Sequence, residues 1–342
     1  MKQENYYTLS PALIEKVKSL DGPILIFGAG GFIGINLLKS LLLYRNDVYG
    51  ASHDYINCWR LIADKVPFSN LVNCDITEYG RVEDIIKEIQ PKTIFNLAAY
   101  GAYSKQKEYN KIYATNFNAT TTIIETLKKY GFSAYVHAGS SSEYGLNSAA
   151  PLEEEALLPN THYSVSKVAT YYLMKYYGKV EKLPVIHLRL YSAFGPWEEP
   201  DRLIPVLLSH ARDGKLPNLV NPDISRDFIY VSDVCSAFIS AASKMPQKHY
   251  GEVYNVGTGL KTTIKELVEL TCKKLNLEVK PNFNSMPNRD WDMPDWYGNI
   301  THIKKALEWE PTVTLEAGLD KSVQWQKDVD FDNALWNWTN RK

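Results

Sequence analysis

Tyr163 and Lys167 stand four residues apart, one turn apart if their segment is helical. A lysine ammonium at that spacing favours the phenolate of a tyrosine, whose reference pKa is about 10, and makes it a usable base near neutrality. Far upstream, Gly28-Ala29-Gly30-Gly31-Phe32-Ile33-Gly34 follows the apolar run Pro23–Phe27 and opens an amphipathic stretch from Ile33 to Tyr44. At such a strand-to-helix turn glycines let the backbone approach a pyrophosphate, which the helix N-terminus attracts. A base that removes a proton and a dinucleotide that accepts a hydride together turn an alcohol into a ketone. Neither motif suffices by itself, because a tyrosine on a helix usually packs and a glycine-rich turn can be a turn only.

The elements that must position these groups alternate along the chain. Ser10-Pro11 reads as the cap and first-turn proline of a leading helix that runs to Leu20. Apolar strand runs then recur at Ile24–Phe27, Val48–Ala51, Leu71–Cys74, Thr93–Leu97, Ala134–Ala138 and Val185–Leu190, with helical patterns between them. Strands separated by helix-length segments predict α/β architecture: a Rossmann-type doubly wound parallel sheet, with ligands at the carboxyl ends of its strands. Beyond Leu190 the pattern loosens. Ile264–Leu275 and Ile303–Trp309 read as short helices, separated by the polar, proline-containing stretch Lys280–Pro294. The expected division is a dinucleotide-binding domain over residues 1–190 with a return segment near 227–257, and a smaller mixed α/β domain over 191–226 and 258–342.

The chain has 342 residues, 45% hydrophobic and 23% charged, with a formal net charge of −1. That is ample for a sizeable core and argues against disorder and against a general nucleic-acid or anionic-membrane binder. Cys58, Cys74, Cys235 and Cys272 form no CxxC pair and the histidines no HExxH spacing, so no metal is expected. Residues 1–10 lack the pattern of a signal peptide, and no apolar run reaches about 18 residues, so no membrane span is expected and the cytoplasm is the default location.

Taken in chain order, the glycine turn, Asn96-Leu97-Ala98-Ala99, Ser140-Ser141-Ser142-Glu143-Tyr144-Gly145, Tyr163-Ser164-Val165-Ser166-Lys167 and Arg226-Asp227-Phe228-Ile229-Tyr230-Val231 resemble the extended short-chain dehydrogenase/reductases of the nucleotide-sugar epimerase/dehydratase family. The resemblance continues into Ala306–Pro311 and Leu315–Leu319. It implies that Tyr163 is the base and that Lys167 tunes it and holds the nicotinamide ribose. A serine polarises the sugar hydroxyl; Ser141 is the first choice and Ser140 the second, because the turn is one residue short between Glu143 and Tyr144. Depending on where that gap lies, Glu143 is either a base for C5 chemistry or a polar neighbour.

The same resemblance assigns Gly28, Gly30, Gly31, Phe32, Ile33 and Gly34 to the pyrophosphate, and Asp75 and Ile76 to the adenine. Leu97, Ala98 and Ala99 fall beside the pyrophosphate and ribose. Near the 2′-position stands Ser52 where an acid would select NAD; with His53 and Arg60 close in sequence, the reading leans toward NADP over NAD, with Asp54 as an acid that could reverse it. Arg226 and Arg289 match arginines that bind the substrate's phosphates, with Ser142 and Ser192 at the sugar. The chemistry implied is transient oxidation to a 4-keto sugar. A nucleotide-sugar 4-epimerase is the leading choice; the alternatives are an NADPH-dependent reductase of a 4-keto-6-deoxy sugar, a 4,6-dehydratase or decarboxylase, and, outside catalysis, a dinucleotide-sensing regulator. Helices around Lys105–Tyr130 and Tyr163–Tyr177, with Ile112, Phe117, Ile123, Leu127, Val168, Tyr172, Leu173 and Tyr176, imply a homodimer.

Overall fold

The computed structural model describes residues 6–329 apart from 104, 244 and 287–292. Arg289 therefore lies outside the described residues. The strands, in chain order, are β1 (Ile24–Phe27), β2 (Val48–Ser52), β3 (Leu71–Asn73), β4 (Thr93–Asn96), β5 (Ala134–Ser140), β6 (Val185–Leu190), β7 (Ser192–Phe194), β8 (Ser225–Arg226), β9 (Phe228–Tyr230), β10 (Glu252–Val256) and β11 (Thr262–Thr263). The helices are α1 (Pro11–Ser19), α2 (Phe32–Leu42), α3 (Trp59–Ala63), α4 (Tyr79–Ile89), α5 (Tyr109–Tyr113), α6 (Ala119–Tyr130), α7 (His162–Lys175), α8 (Leu203–Arg212), α9 (Val231–Ser243), α10 (Ile264–Leu275), α11 (Thr301–Leu307) and α12 (Leu315–Asp328). Short π-helical turns at Ala114–Asn118 and Tyr176–Val180 follow α5 and α7.

Seven strands form a parallel sheet in the order β10-β6-β5-β4-β1-β2-β3. Successive side chains of a strand point to opposite faces, so a sheet covered on both sides needs apolar residues throughout. In β1, Ile24 and Ile26 enter a core with Val17, Leu37 and Phe238 from α1, α2 and α9. Leu25 and Phe27 enter another with Val82, Ile123 and Met174 from α4, α6 and α7. Burying each such side chain contributes about 1.5–3 kcal/mol. A third core joins α8, α10 and α12 to β7 and β9 through Phe194, Leu207, Phe228, Leu267 and Leu319.

Strand order reverses between β4 and β1, which opens a crevice at their carboxyl ends. Two departures from the sequence reading matter there. β5 runs on to Ser140, because Gly139 and Ser140 continue the ladder against Arg189 and Leu190. β10 adds a seventh strand that the sequence pass did not single out, although it lies within the expected return segment. Among the described residues no helix is long and apolar enough to cross a membrane.

Of the side chains expected on a dimer face, Ile112, Ile123 and Leu127 are instead buried in the core. The exposed apolar residues of that region are Tyr109, Val165, Tyr172 and Tyr176.

Candidate active site

The glycine turn carries the chain from β1 into α2. Gly28 has φ +79, and a Cβ on Gly34 would lie 2.1 Å from Gly28 O, so the helix approaches the turn only because neither residue has a side chain. Gly31 caps α2 without a side-chain bond, leaving the first amides of the helix for an anion. A Cβ on Gly30 would come 2.8 Å from both Ser52 Oγ and Cys58 Sγ, so the end of β2 lies directly against the turn. Beside it, a Cβ on Gly28 would be 2.6 Å from Ala98 N, and the Ala98 amide donates to Asn96 Oδ1 at 3.2 Å. The buried Asn96 also donates to Tyr135 Oη, which fixes the Leu97-Ala98-Ala99 segment over the crevice. These residues fit a dinucleotide pyrophosphate.

The expected 2′-position needs correction. Arg60 is buried; its Nε donates to Trp197 O at 2.8 Å and its Nη2 to Glu199 Oε2 at 2.6 Å. It ties α3 to the segment after β7 and is not a free cation for a phosphate. Only the exposed His53 remains beside the buried Ser52. Asp54 accepts from Asn57 N and Nδ2, closing a local turn. Asp75 does likewise through Thr77 N and Oγ1, while Ile76 enters the core.

Thr161 caps α7 in a reciprocal box with Ser164 and so sets Tyr163 on the first turn of the helix. From the π-turn that leads into α6, on the same face of the sheet, Asn116 donates to Tyr100 O and Ser166 Oγ, tying the Tyr100 loop to α7. Nothing in the sequence reading singled out Asn116. The Ser140 side chain lies near enough to Tyr163 to act on its phenol. Burial raises its phenol to about 12, against the lowering influence of Ser140 and Arg202. The buried Lys167 donates to Ala138 O at 2.8 Å, with its Nζ 5.8 Å from the Tyr163 ring centre. In this arrangement desolvation outweighs the lowering influences on the phenol. Burial also draws Lys167 down to about 8, with Glu143 opposing.

The serine turn resolves differently from the sequence choice. Ser140 caps the short helical turn, accepts from Ser142 N and Ser142 Oγ, and is the serine that acts on the Tyr163 phenol. Ser141 Oγ instead accepts from Trp296 Nε1 at 2.8 Å. Ser140→Ala is accordingly expected to lower kcat by about 10²-fold, as for removal of one donor to developing charge, and Ser141→Ala by less than about tenfold. Steady-state kinetics of the two variants giving the opposite order would return the role to Ser141.

Glu143 is withdrawn from the crevice. It is fully buried, with Oε1 accepting from Ser140 N at 2.8 Å and facing His187 Nε2 at 2.8 Å, and Oε2 accepting from Arg189 Nε at 2.7 Å. These partners overcome desolvation and hold its carboxyl at about 2. A carboxylate so occupied is no base for a bound sugar, which corrects its place among the candidate catalytic residues.

On the substrate side, Arg226 donates to Ser225 O and lies with its guanidinium 5.3 Å from the Trp296 ring centre. Ser192 begins β7, and its amide donates to Asp227 O. Trp296 thus reaches from Arg226 to the serine turn. Arg202 lies 5.9 Å from the Tyr103 ring centre and 3.9 Å from Glu198, and both Arg202 and Tyr103 act on the charge of Tyr163. Trp296, Tyr103 and Arg202 were missed in the sequence because they sit in loops with no motif of their own.

Residues 24–257 match the model of the NAD dependent epimerase/dehydratase family. UDP-glucuronate 4-epimerase 4 of Arabidopsis thaliana is 26% identical over 326 residues, covering 88% of this chain and 74% of that protein. Among solved structures, UDP-glucose 4-epimerase of Thermotoga maritima with UDP-glucose superimposes with a TM-score of 0.80 at 25% identity, covering 89% of this chain and 98% of the other. The dTDP-glucose 4,6-dehydratase of Bacillus anthracis in complex with NAD gives a TM-score of 0.77 at 29% identity, covering 89% and 96%.

Proposed function

The chain belongs to the NAD-dependent epimerase/dehydratase family, and from that premise we propose that it is a nucleotide-sugar 4-epimerase working through a 4-keto intermediate. The observation that carries this choice over dehydration is the inward position of Glu143, which leaves the serine turn without a carboxylate for C5 proton removal. The relatives include both 4-epimerases and a 4,6-dehydratase, so the class is common to them and the choice rests on the site.

Gly28 to Gly34, with Asp75 and the Leu97–Ala99 segment, would hold the dinucleotide, and we infer NAD because Arg60 is engaged elsewhere. When bound, the cofactor supplies hydride acceptance and return, and its oxidised ring carries a positive charge that favours the phenolate. Tyr163 takes the proton of the sugar 4-hydroxyl and later returns one to the 4-keto oxygen. Ser140 donates to that oxygen, and Lys167 keeps a positive charge behind the pair. Arg226 suits the diphosphate through its guanidinium fork, with Arg289 the second candidate. Trp296 lines the space between Arg226 and the serine turn.

Incubating the protein with nucleotide sugars in deuterated water, with NAD or NADP added, tests the reading by NMR. A C4 epimer formed with NAD and free of carbon-bound deuterium is expected. Deuterium at C5 would overturn epimerisation at C4, and strict dependence on NADP would overturn the cofactor choice. We further infer a homodimer through the exposed Val165, Tyr172 and Tyr176 of the α7 region with Tyr109 of α5; sedimentation as a monomer at micromolar concentration would remove it.

A further inference from the structure

We propose that Glu143 is a positioning residue for the catalytic pair: clamped beneath the end of β5 by Arg189 and His187, its carboxylate fixes the Ser140 amide at the strand end whose Ala138 carbonyl holds the Lys167 ammonium. The inference rests on the role just given to Tyr163, Ser140 and Lys167. Glu143 Oε1 takes the Ser140 amide at 2.8 Å, two residues beyond the Ala138 carbonyl that holds Lys167 Nζ at 2.8 Å, and Ser140 is the serine that acts on the Tyr163 phenol. Oε2 takes Arg189 Nε at 2.7 Å; Arg189 is itself held by Tyr144 Oη and Glu153 O, both at 2.9 Å, with the Tyr144 and Tyr171 rings 4.6 and 4.4 Å from its guanidinium carbon. A Cβ on Gly139 would strike His187 Nε2 at 2.1 Å and Glu143 Oε1 at 2.7 Å, so the strand lies directly on the clamp.

The titratable groups whose charge bears on Lys167 are His137 from β5, His187 from β6 and Glu143 from the serine turn, with the Tyr163 ring centre 5.8 Å away on its own helix. His137 and His187 are buried, and both are held below the usual histidine range, first by burial, so they bring no charge near neutrality. Glu143 is then the anion that opposes desolvation of Lys167. It also raises the Tyr163 phenol. Removing its charge favours the deprotonated form of both residues, which moves both limbs of the pH profile to lower pH.

The test follows Lys167 by carbon NMR of its ε position, assigned by the signal lost in Lys167→Met. In the native protein it should titrate at about 8. In Glu143→Gln it should titrate lower by about one pH unit, with the alkaline limb of kcat following. Glu143→Asp keeps the charge but draws the carboxylate back from Ser140. There Lys167 should still titrate near its native value while kcat falls by about 10²-fold, the cost of a displacement of about 1 Å. An unmoved Lys167 titration in folded Glu143→Gln overturns the proposal, as does wild-type kcat in Glu143→Asp. Should Glu143→Gln not fold, the Glu143 carboxyl of the native protein decides the charge: ionisation persisting below pH ~4 supports the proposal and titration above that sinks it. The lysine titration needs no substrate, so a shift there without turnover on any nucleotide sugar counts against the function and not against the positioning.

Discussion

Tyr163→Phe is expected to lower kcat by about 10²–10⁴-fold while leaving the affinity for dinucleotide and nucleotide sugar within about threefold. The ring keeps its place, since Thr161 and Ser164 still cap α7 and the Gly101 turn still lies against the Tyr163 Cβ. Only the phenol oxygen, the proton acceptor, is lost. Because the phenol sits at about 12 before any ligand arrives, the substitution does not change the charge of the empty site near neutrality. The loss should therefore fall on kcat and not on KM, and single-turnover kinetics should show no rise of reduced nicotinamide. Turnover near the wild-type rate would remove Tyr163 from the mechanism.

The second large effect is on stability. Arg189→Met is expected to cost about 3–5 kcal/mol, because it strands the Glu143 carboxylate in a place where water does not reach. Urea unfolding measures it, and a loss under about 1 kcal/mol would show that the clamp contributes little to cohesion. Acid dependence gives the sign. The carboxyl is held at about 2, below the ordinary glutamate value of 4.5, so its contribution is fully present above 4.5 and is lost as pH falls toward 2. Without Arg189 the carboxyl rises, and the loss should begin at higher pH than in the native protein.

The glycine turn and its flanking elements were legible because they depend on neighbours in sequence. An apolar run, a left-handed Gly28 and an uncapped helix start each leave a local signature, and α2 begins at Phe32 within a residue of the expected Ile33. Tyr163 and Lys167 were legible for the same reason: their four-residue spacing sits within α7 itself. The alternation of strand and helix patterns was enough to foresee the parallel sheet, since each strand of a doubly covered sheet carries its own apolar record.

Direction and partnership were a different matter. Glu143 and Arg60 read from the chain as polar groups near a ligand, yet one turns inward to residues 44 and 46 positions away and the other to a carboxylate 139 positions away. Ser141 and Ser140 are adjacent and chemically alike, and what separates them is Trp296, whose indole arrives from 155 residues downstream. Sequence by itself determined which elements form and which motif could do chemistry, because propensity and periodicity act over a few residues. Tertiary structure alone decided which serine meets the base and which charges are taken up in the interior: a hydrogen bond or ion pair forms with whatever group the fold delivers within about 3 Å, and burial makes leaving that group unpaired too costly to tolerate.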